Sequence, residues 1–300
     1  VLTSVPQEDA IDLAREYPDT VFVGVNQGIP CVSADGIPDP SGTCQGDAAT
    51  LVRNYASSEF RIDHAGFLAG VVAASVSRSG RIGAVGGWPG CADCDRYLQS
   101  FELGVRSVSP TASVIVAYLT DDDPEVANHD VETGRAFAEA FIGVNQLDVI
   151  FAASGGSSPG VIQAACDAGI LAIGTDVDRA VQHPRLSRCI LTSAIRDYDD
   201  SIAAEVYEVA EANRDPDTLF IGGGRTYDLA NGGVGLAPYH DLDASVPVEL
   251  PARLETATQG IIDGSIQTCL EACGLATTVE GATPDGSGPE GSPAAEDETT

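Results

Sequence analysis

The segment GILAIGTDVD (169–178) runs from apolar residues straight into two carboxylates, Asp176 and Asp178. A carboxylate at the end of an apolar strand can accept hydrogen bonds from the hydroxyls of a bound molecule. It can equally cap the next helix, or pair with the nearby Arg179 and Arg185. A second such place is LDVIFAASGGSSPGVIQAA (147–165), where a strand ends in Ser154-Gly155-Gly156-Ser157-Ser158 and Pro159 stands near the first turn of a helix. Gly155 and Gly156 would let a ligand approach backbone amides, although such a turn often does no more than join strand to helix. It is neither a Walker motif nor G-x-G-x-x-G, and with so few cations nearby phosphate is not expected there. A third is RCILTSAIRDYDD (188–200), a strand leading through Arg196 into an amphipathic helix. That guanidinium could reach Asp176, or stand as a solvated charge at the helix start.

Apolar, β-branched runs must position these groups. They recur at 20–25, 81–87, 113–119, 147–153, 169–174 and 188–193. Continuous rather than alternating apolarity predicts strands buried on both faces, as in a parallel sheet covered by helices. The spacing predicts helices around Ile11–Ala14, Phe67–Val76 and Phe101–Val108, and across 131–145, 159–168, 197–213 and 248–263. The class is α/β with repeated right-handed crossovers. In doubly wound sheets ligands sit at the carboxyl ends of the strands, which is where Asp176, Gly155, Gly156 and Arg196 fall.

The 300 residues carry a formal charge of −30, with 45 acidic against 15 basic residues, every one of the latter Arg. Such a surface repels phosphate backbones and anionic headgroups, so neither nucleic acid nor a membrane surface is an expected partner. The eight cysteines fall as Cys31 and Cys44, Cys91 and Cys94, Cys166 and Cys189, and Cys269 and Cys273. An even, locally clustered set points to disulfides in an oxidising compartment. Zinc on CADC plus Cys269 and Cys273, and a redox-active CADC, are the competing readings. His64, His129, His183 and His240 stand in no hydrolase motif, and Asp121–Asp123 resemble a solvated turn more than a calcium site. Residues 27–50 suit a stapled surface loop, and 275–300 a disordered acidic tail.

Taken in order, AREYPDTVFVGVNQ (14–27), AGFLAGVVAASVSRSGRIGAVGG (65–87), FELGV (101–105), LDVIFAASGGSSPGVIQAACDAGILAIGTDVD (147–178), CILTSAIRDYDDSIAAEVYE (189–208) and GGVGLAPYHD (232–241) resemble one family. It is the basic membrane protein family of substrate-binding lipoproteins, which includes purine nucleoside receptors of ABC importers. The resemblance implies a type I periplasmic-binding fold: two doubly wound parallel-sheet lobes joined by hinge crossovers, a nucleoside between them, no catalysis and no cofactor. It implies that Asp176 grips ribose and that Arg196 stands where the family has Lys. It places Gly155 and Gly156 at the family's glycine turn, and Asn26 where an acidic residue usually ends the strand. Tyr118, or Trp88 from the WPGCADC loop, is the nearest candidate to stack on the base. The family's opening D-x-G-x-x-D-x-S-F-N signature, its lipid-anchored Cys and its export signal are expected upstream of Val1, leaving the first lobe N-terminally truncated.

The expected division is therefore 1–62 plus 193–222 for the first lobe and 63–192 plus 223–274 for the second. The expected function is an extracytoplasmic receptor that hands a nucleoside-like molecule to ABC permease subunits, touching the membrane only through an upstream lipid anchor. A sensor of the same fold acting on a signalling partner, or a binder of a sugar-like ligand, is the alternative.

Overall fold

The computed structural model describes residues 2–3, 7–27, 54–214 and 223–269. Its strands are β1 (Leu2–Thr3), β2 (Phe22–Val25), β3 (Tyr55–Phe60), β4 (Arg81–Gly86), β5 (Ser113–Tyr118), β6 (Val149–Ala153), β7 (Leu171–Asp176), β8 (Ile190–Arg196), β9 (Gly223–Tyr227) and β10 (Val234–Leu236). They form two sheets. One is parallel throughout, in the order β1-β2-β3-β9; the other runs β10-β8-β7-β6-β4-β5, with only β10 antiparallel. In the larger sheet the chain lays β5 on one side of β4 and β6, β7 and β8 on the other, so the strand order reverses at β4, as in doubly wound folds.

The apolar runs become strands because helices cover the larger sheet on both sides. Ile62–Val76, Ala92–Val108 and Leu250–Ile262 share one core with Phe151, Ile173 and Leu191. Val131–Asn145 and Ser158–Ala168 share the opposite core with Ile150, Ala172 and Ile190. Each of β6, β7 and β8 therefore sends alternate side chains into different cores, and each has an almost unbroken buried pattern. The run at 113–118 departs from this expectation. As the edge strand, paired only to β4, it leaves Val116 39% exposed. Turn chemistry sets the helix ends: Asp123 and Asp130 accept bonds from the first turns of Pro124–His129 and Val131–Asn145.

Helices Ile62–Val76 and Ala92–Val108 approach at backbone distance. A Cβ at Gly70 would meet the Phe101 carbonyl oxygen, and one at Gly104 the Phe67 carbonyl oxygen. This crossing lets Phe101 reach the sheet and stack on Phe151 at 4.4 Å between ring centroids.

The chain passes between the sheets three times: from β3 to the helix Ile62–Val76, from β8 to β9, and from β9 to β10. The two later crossings differ from the expected boundaries. All of β8, through Arg196, pairs with β7 and β10, so residues 193–196 belong to the larger sheet. Residues 223–227 pair with β3 and belong to the smaller one. β3 (YASSEF) breaks its apolar residues with Ser57, Ser58 and Glu59, and β9 (GGRTY) opens on two glycines, so neither shows the continuous apolar run that marks the other strands. Cys31, Cys44, Cys273 and the 275–300 segment lie outside the described residues.

Candidate functional site

The carboxyl ends of β7 and β8 lie side by side, with Asp176 in register opposite Ile195. Asp176 has a left-handed backbone, φ 72°, which turns the chain out of the sheet before Val177. The next residue but one, Asp178, caps the short helix Arg179–Gln182 through the amides of Ala180 and Val181. Its Oδ2 also lies 2.7 Å from His240 Nε2. The two carboxylates of the opening motif thus divide: Asp178 shapes the loop, while Asp176 meets Arg196.

Arg196 is the centre of the site. Its side chain is 5% exposed, yet every guanidinium nitrogen has an oxygen partner. Nε and Nη2 donate to Asp176 Oδ1 at 3.0 and 2.8 Å, Nη2 also to Asp93 Oδ2 at 2.8 Å, and Nη1 to Asn26 Oδ1 at 2.5 Å. Asn26 Nδ2 in turn donates to Asp93 Oδ2 at 2.9 Å. The rings of Tyr97 and Tyr198 stand 5.7 and 5.8 Å from the guanidinium carbon, close enough for cation–π attraction. The Tyr97 hydroxyl lies 3.3 Å from the Ala194 carbonyl and 3.5 Å from Asp176 Oδ1.

The electrostatics follow from burial opposed by charge. Burial alone would make Arg196 easier to deprotonate, but Asp176, Tyr97 and Asp93 reverse this and hold it firmly cationic. Burial likewise pushes the Asp93 carboxyl up; the Arg196 charge and the Asn26 and Arg196 hydrogen bonds outweigh it and leave Asp93 below the ordinary carboxylate value. Burial drives the Tyr97 phenol up, and the Asp176 charge adds to that. Arg179 adds a second cation: its Nη2 lies 3.7 Å from Asp176 Oδ2, while its Nε donates to the Thr175 carbonyl at 2.9 Å. Two carboxylates therefore face two guanidiniums. The centre is balanced in charge, and Asp176 keeps 24% of its side chain accessible. Such a group can accept hydrogen bonds from hydroxyl donors without requiring a charged ligand.

The other expected site residues are placed differently. Asn26 joins the centre, with both ends of its amide engaged. Gly155 and Gly156 close against the helix Pro124–His129: a Cβ at Gly156 would meet the Asn128 carbonyl oxygen, and Gly155, facing the Asn128 side chain, has a left-handed backbone, φ 55°. Ser157 Oγ donates to the Val126 carbonyl at 2.8 Å and holds the same contact. Tyr118 turns to the helix Ala92–Val108, its hydroxyl donating to Asp95 Oδ1 at 2.6 Å; burial and that carboxylate raise its phenol to about 12. Trp88 stands two residues beyond β4 and is half-buried, its carbonyl accepting from the Cys91 amide at 3.2 Å.

Asp93, Tyr97 and Tyr198 complete the centre and were not anticipated, while Arg179 takes up the pairing with Asp176 that the sequence offered. The signal for Asp93 and Tyr97 was their position just after a strand end, in the first turns of the next helix. Cys91 and Cys94 flank Asp93 and are joined in a disulfide, as are Cys166 and Cys189; Cys269 is also disulfide-bonded. The zinc reading of CADC thereby loses its thiols. Among the described residues no group of three or more His, Cys, Asp or Glu is placed to hold a metal ion. No helix among them is long and apolar enough to cross a membrane.

Comparison with known proteins bears on this arrangement. A family model described as "ABC transporter substrate-binding protein PnrA-like" matches residues 1–263. The CD4+ T-cell-stimulating antigen of Listeria monocytogenes is 29% identical over 227 residues, covering 71% of this chain and 59% of that protein. Basic membrane protein B of Borreliella burgdorferi is 32% identical over 170 residues, 56% of this chain and 46% of its own. The chain thus spans 59% and 46% of the lengths of these two relatives. Among solved structures, an ABC transporter system solute-binding protein from Aeropyrum pernix K1 superposes with a TM-score of 0.65 at 18% identity, covering 87% of this chain and 74% of that one. A transcriptional activator of the comK gene from Bacillus halodurans gives 0.60 at 22% identity, covering 88% and 78%. At such identities the likeness speaks to the fold, which is the type I periplasmic-binding fold. By its match along 263 residues, this chain belongs to the Bmp family, the PnrA-like substrate-binding proteins of ABC transporters.

Proposed function

We propose that this chain is the extracytoplasmic substrate-binding component of an ABC importer, and that it encloses a nucleoside, a purine by preference, or a similarly hydroxylated small molecule between its two lobes. The reading rests on the meeting of Asp176 and Arg196 at adjacent strand ends, facing Asn26 from the other sheet. A carboxylate fixed by a guanidinium is a rigid acceptor for a pair of sugar hydroxyls, and the balanced charge favours a neutral ligand over a phosphorylated one. Asp176 and Arg196 grip the sugar, Asn26 stands beside them at the same centre, and Tyr118 or Trp88 stacks on the ring. The protein binds without turning its ligand over and delivers it to permease subunits; its own tie to the membrane is a lipid anchor outside these residues.

Calorimetric titration of the full chain with adenosine, guanosine, inosine, uridine and D-ribose tests this. One nucleoside should bind at a single site with a Kd on the order of micromolar or tighter, and chromatography should recover it intact. Binding of D-ribose alone would move the ligand class to sugars. No binding across the panel, or release of free base, would overturn the proposal.

A further inference from the structure

The start of the helix Ala92–Val108 touches the smaller sheet at two places, although its own body packs on the larger one. Asp93 Oδ2 accepts from Asn26 Nδ2 at the end of β2, at 2.9 Å. One turn on, Arg96 Nη1 lies 3.7 Å from Glu59 Oε1 on β3 and 3.4 Å from the Phe60 carbonyl. Asp93 also takes Arg196 Nη2, whose Nη1 reaches the oxygen of the same Asn26 amide. The Asn26 amide is thus held at both ends, by a carboxylate and a guanidinium of the other lobe that also bond each other. Asn26 follows a strand of one sheet, while Arg196 ends a strand of the other and Asp93 opens a helix packed on that other sheet, so the bonds cross between the two lobes.

The CADC motif bears on the same carboxylate. Cys91 is the N-cap of this helix, its Sγ accepting from the Cys94 amide, and the Cys91–Cys94 disulfide closes around Ala92 and Asp93. A first helical turn ordinarily frays, since its amides lack partners within the helix. Here that turn is covalently closed, so Asp93 is presented with little conformational freedom to lose.

We propose that Asp93 is the lobe-closing residue of this protein: it clasps Asn26 and Arg196 across the cleft, and the Cys91–Cys94 disulfide holds it in position to do so. Asp93 acts on ligand affinity by populating the closed state, as a positioning residue beside the binding groups. The apparent Kd of a ligand that binds the closed state rises as the closed fraction falls. Reduction is one route to release. A dithiol reductant delivers two electrons and two protons to the disulfide, leaving two thiols and an oxidised cyclic disulfide, and the first turn is then free to fray.

The inference takes from the proposed function only that the lobes open and close, so its main test needs no ligand. Small-angle X-ray scattering and amide hydrogen exchange are measured on the ligand-free full chain and on Asp93→Ala, Asn26→Gly and Cys91→Ser/Cys94→Ser variants. Asn26→Gly removes the amide and keeps the left-handed backbone, φ 57°, that position 26 requires, so it stands in should Asp93→Ala fail to fold. Asp93→Ala and Asn26→Gly should enlarge the radius of gyration and speed exchange at residues 26 and 27 about tenfold. The double serine variant should move both in the same direction by less. Nucleoside Kd for Asp93→Ala should rise on the order of tenfold, through the closed fraction. Scattering and exchange unchanged in both Asp93→Ala and Asn26→Gly would overturn the clasp. A serine variant identical to the parent would remove the disulfide from it. A parent that binds no nucleoside, with the variants still opening, would defeat the functional reading and leave the clasp standing.

Discussion

Arg196 directs Nε and Nη2 to one and the same oxygen, Oδ1, of Asp176, at 3.0 and 2.8 Å. Oδ2 of that carboxylate lies 3.7 Å from Arg179, so the carboxylate is oriented from both sides. A group fixed in this way loses little entropy when a ligand hydroxyl bonds to it. Charge-assisted hydrogen bonds contribute about 1.5–3 kcal/mol each. Asp176→Ala should therefore weaken nucleoside binding on the order of 10–100-fold in calorimetry. Asp176→Asn, which tolerates the left-handed backbone, separates the lost charge from the lost turn. Parent-like affinity in both variants would take Asp176 out of the site.

Arg196→Lys tests the fork. An ammonium keeps the charge but presents one nitrogen where the guanidinium uses three to reach Asp176, Asp93 and Asn26. At least one of the three partners should lose its bond, with a fall in unfolding free energy of about 1.5–3 kcal/mol and weaker ligand binding. A variant as stable as the parent in urea would show that the fork is dispensable.

Gly70→Ala tests the helix crossing beneath the site. The added methyl meets the Phe101 carbonyl oxygen, which is backbone and cannot rotate away. Overpacking costs about 1–3 kcal/mol, against a gain of about 1 kcal/mol in helix propensity. The balance should be a lower melting temperature. Gly143→Ala, where nothing stands within 4 Å of the new Cβ, should be neutral or stabilising.

The pH dependence of stability has two acid legs. Burial holds the His64 imidazole below its ordinary 6.5, against the pull of Asp63. The unfolded chain then takes up the proton first, so stability is fully present above about pH 6.5 and declines as pH falls below it. His183, lowered by burial and by Arg179, shares this leg. Burial pushes Asp63 up, but its bonds from Arg61 and Thr268 prevail and hold it below the ordinary 3.8. Asp93 and Asp148 are depressed likewise. Their stabilisation is present above about pH 3.8 and is lost as pH falls below that value. Glu205, raised by burial, works in the opposite sense. Urea midpoints from pH 8 to 5 should fall for the parent and fall less for His64→Gln. Equal slopes would assign the upper leg elsewhere.

The alternation of strands and helices, and the ends of β7 and β8, were legible in the sequence. Continuous apolar runs fit a sheet covered on both sides, the edge strand at 113–118 excepted, and charged residues closing such runs lie at its rim. That logic was enough to pick out Asp176 and Arg196. It passed over β3 and β9, whose YASSEF and GGRTY segments become strands by pairing rather than by apolarity. It also misjudged what Gly155 and Gly156 accommodate, because the occupant of that space, Asn128, comes from another helix. Arg196 and Asn26 are 170 residues apart in the chain, and Asp93 and Arg196 are 103 apart. No local pattern records such pairings. Local physics chose the residue types and placed each at a strand end; only the meeting of two sheets decided which carboxylate and which amide would share one guanidinium.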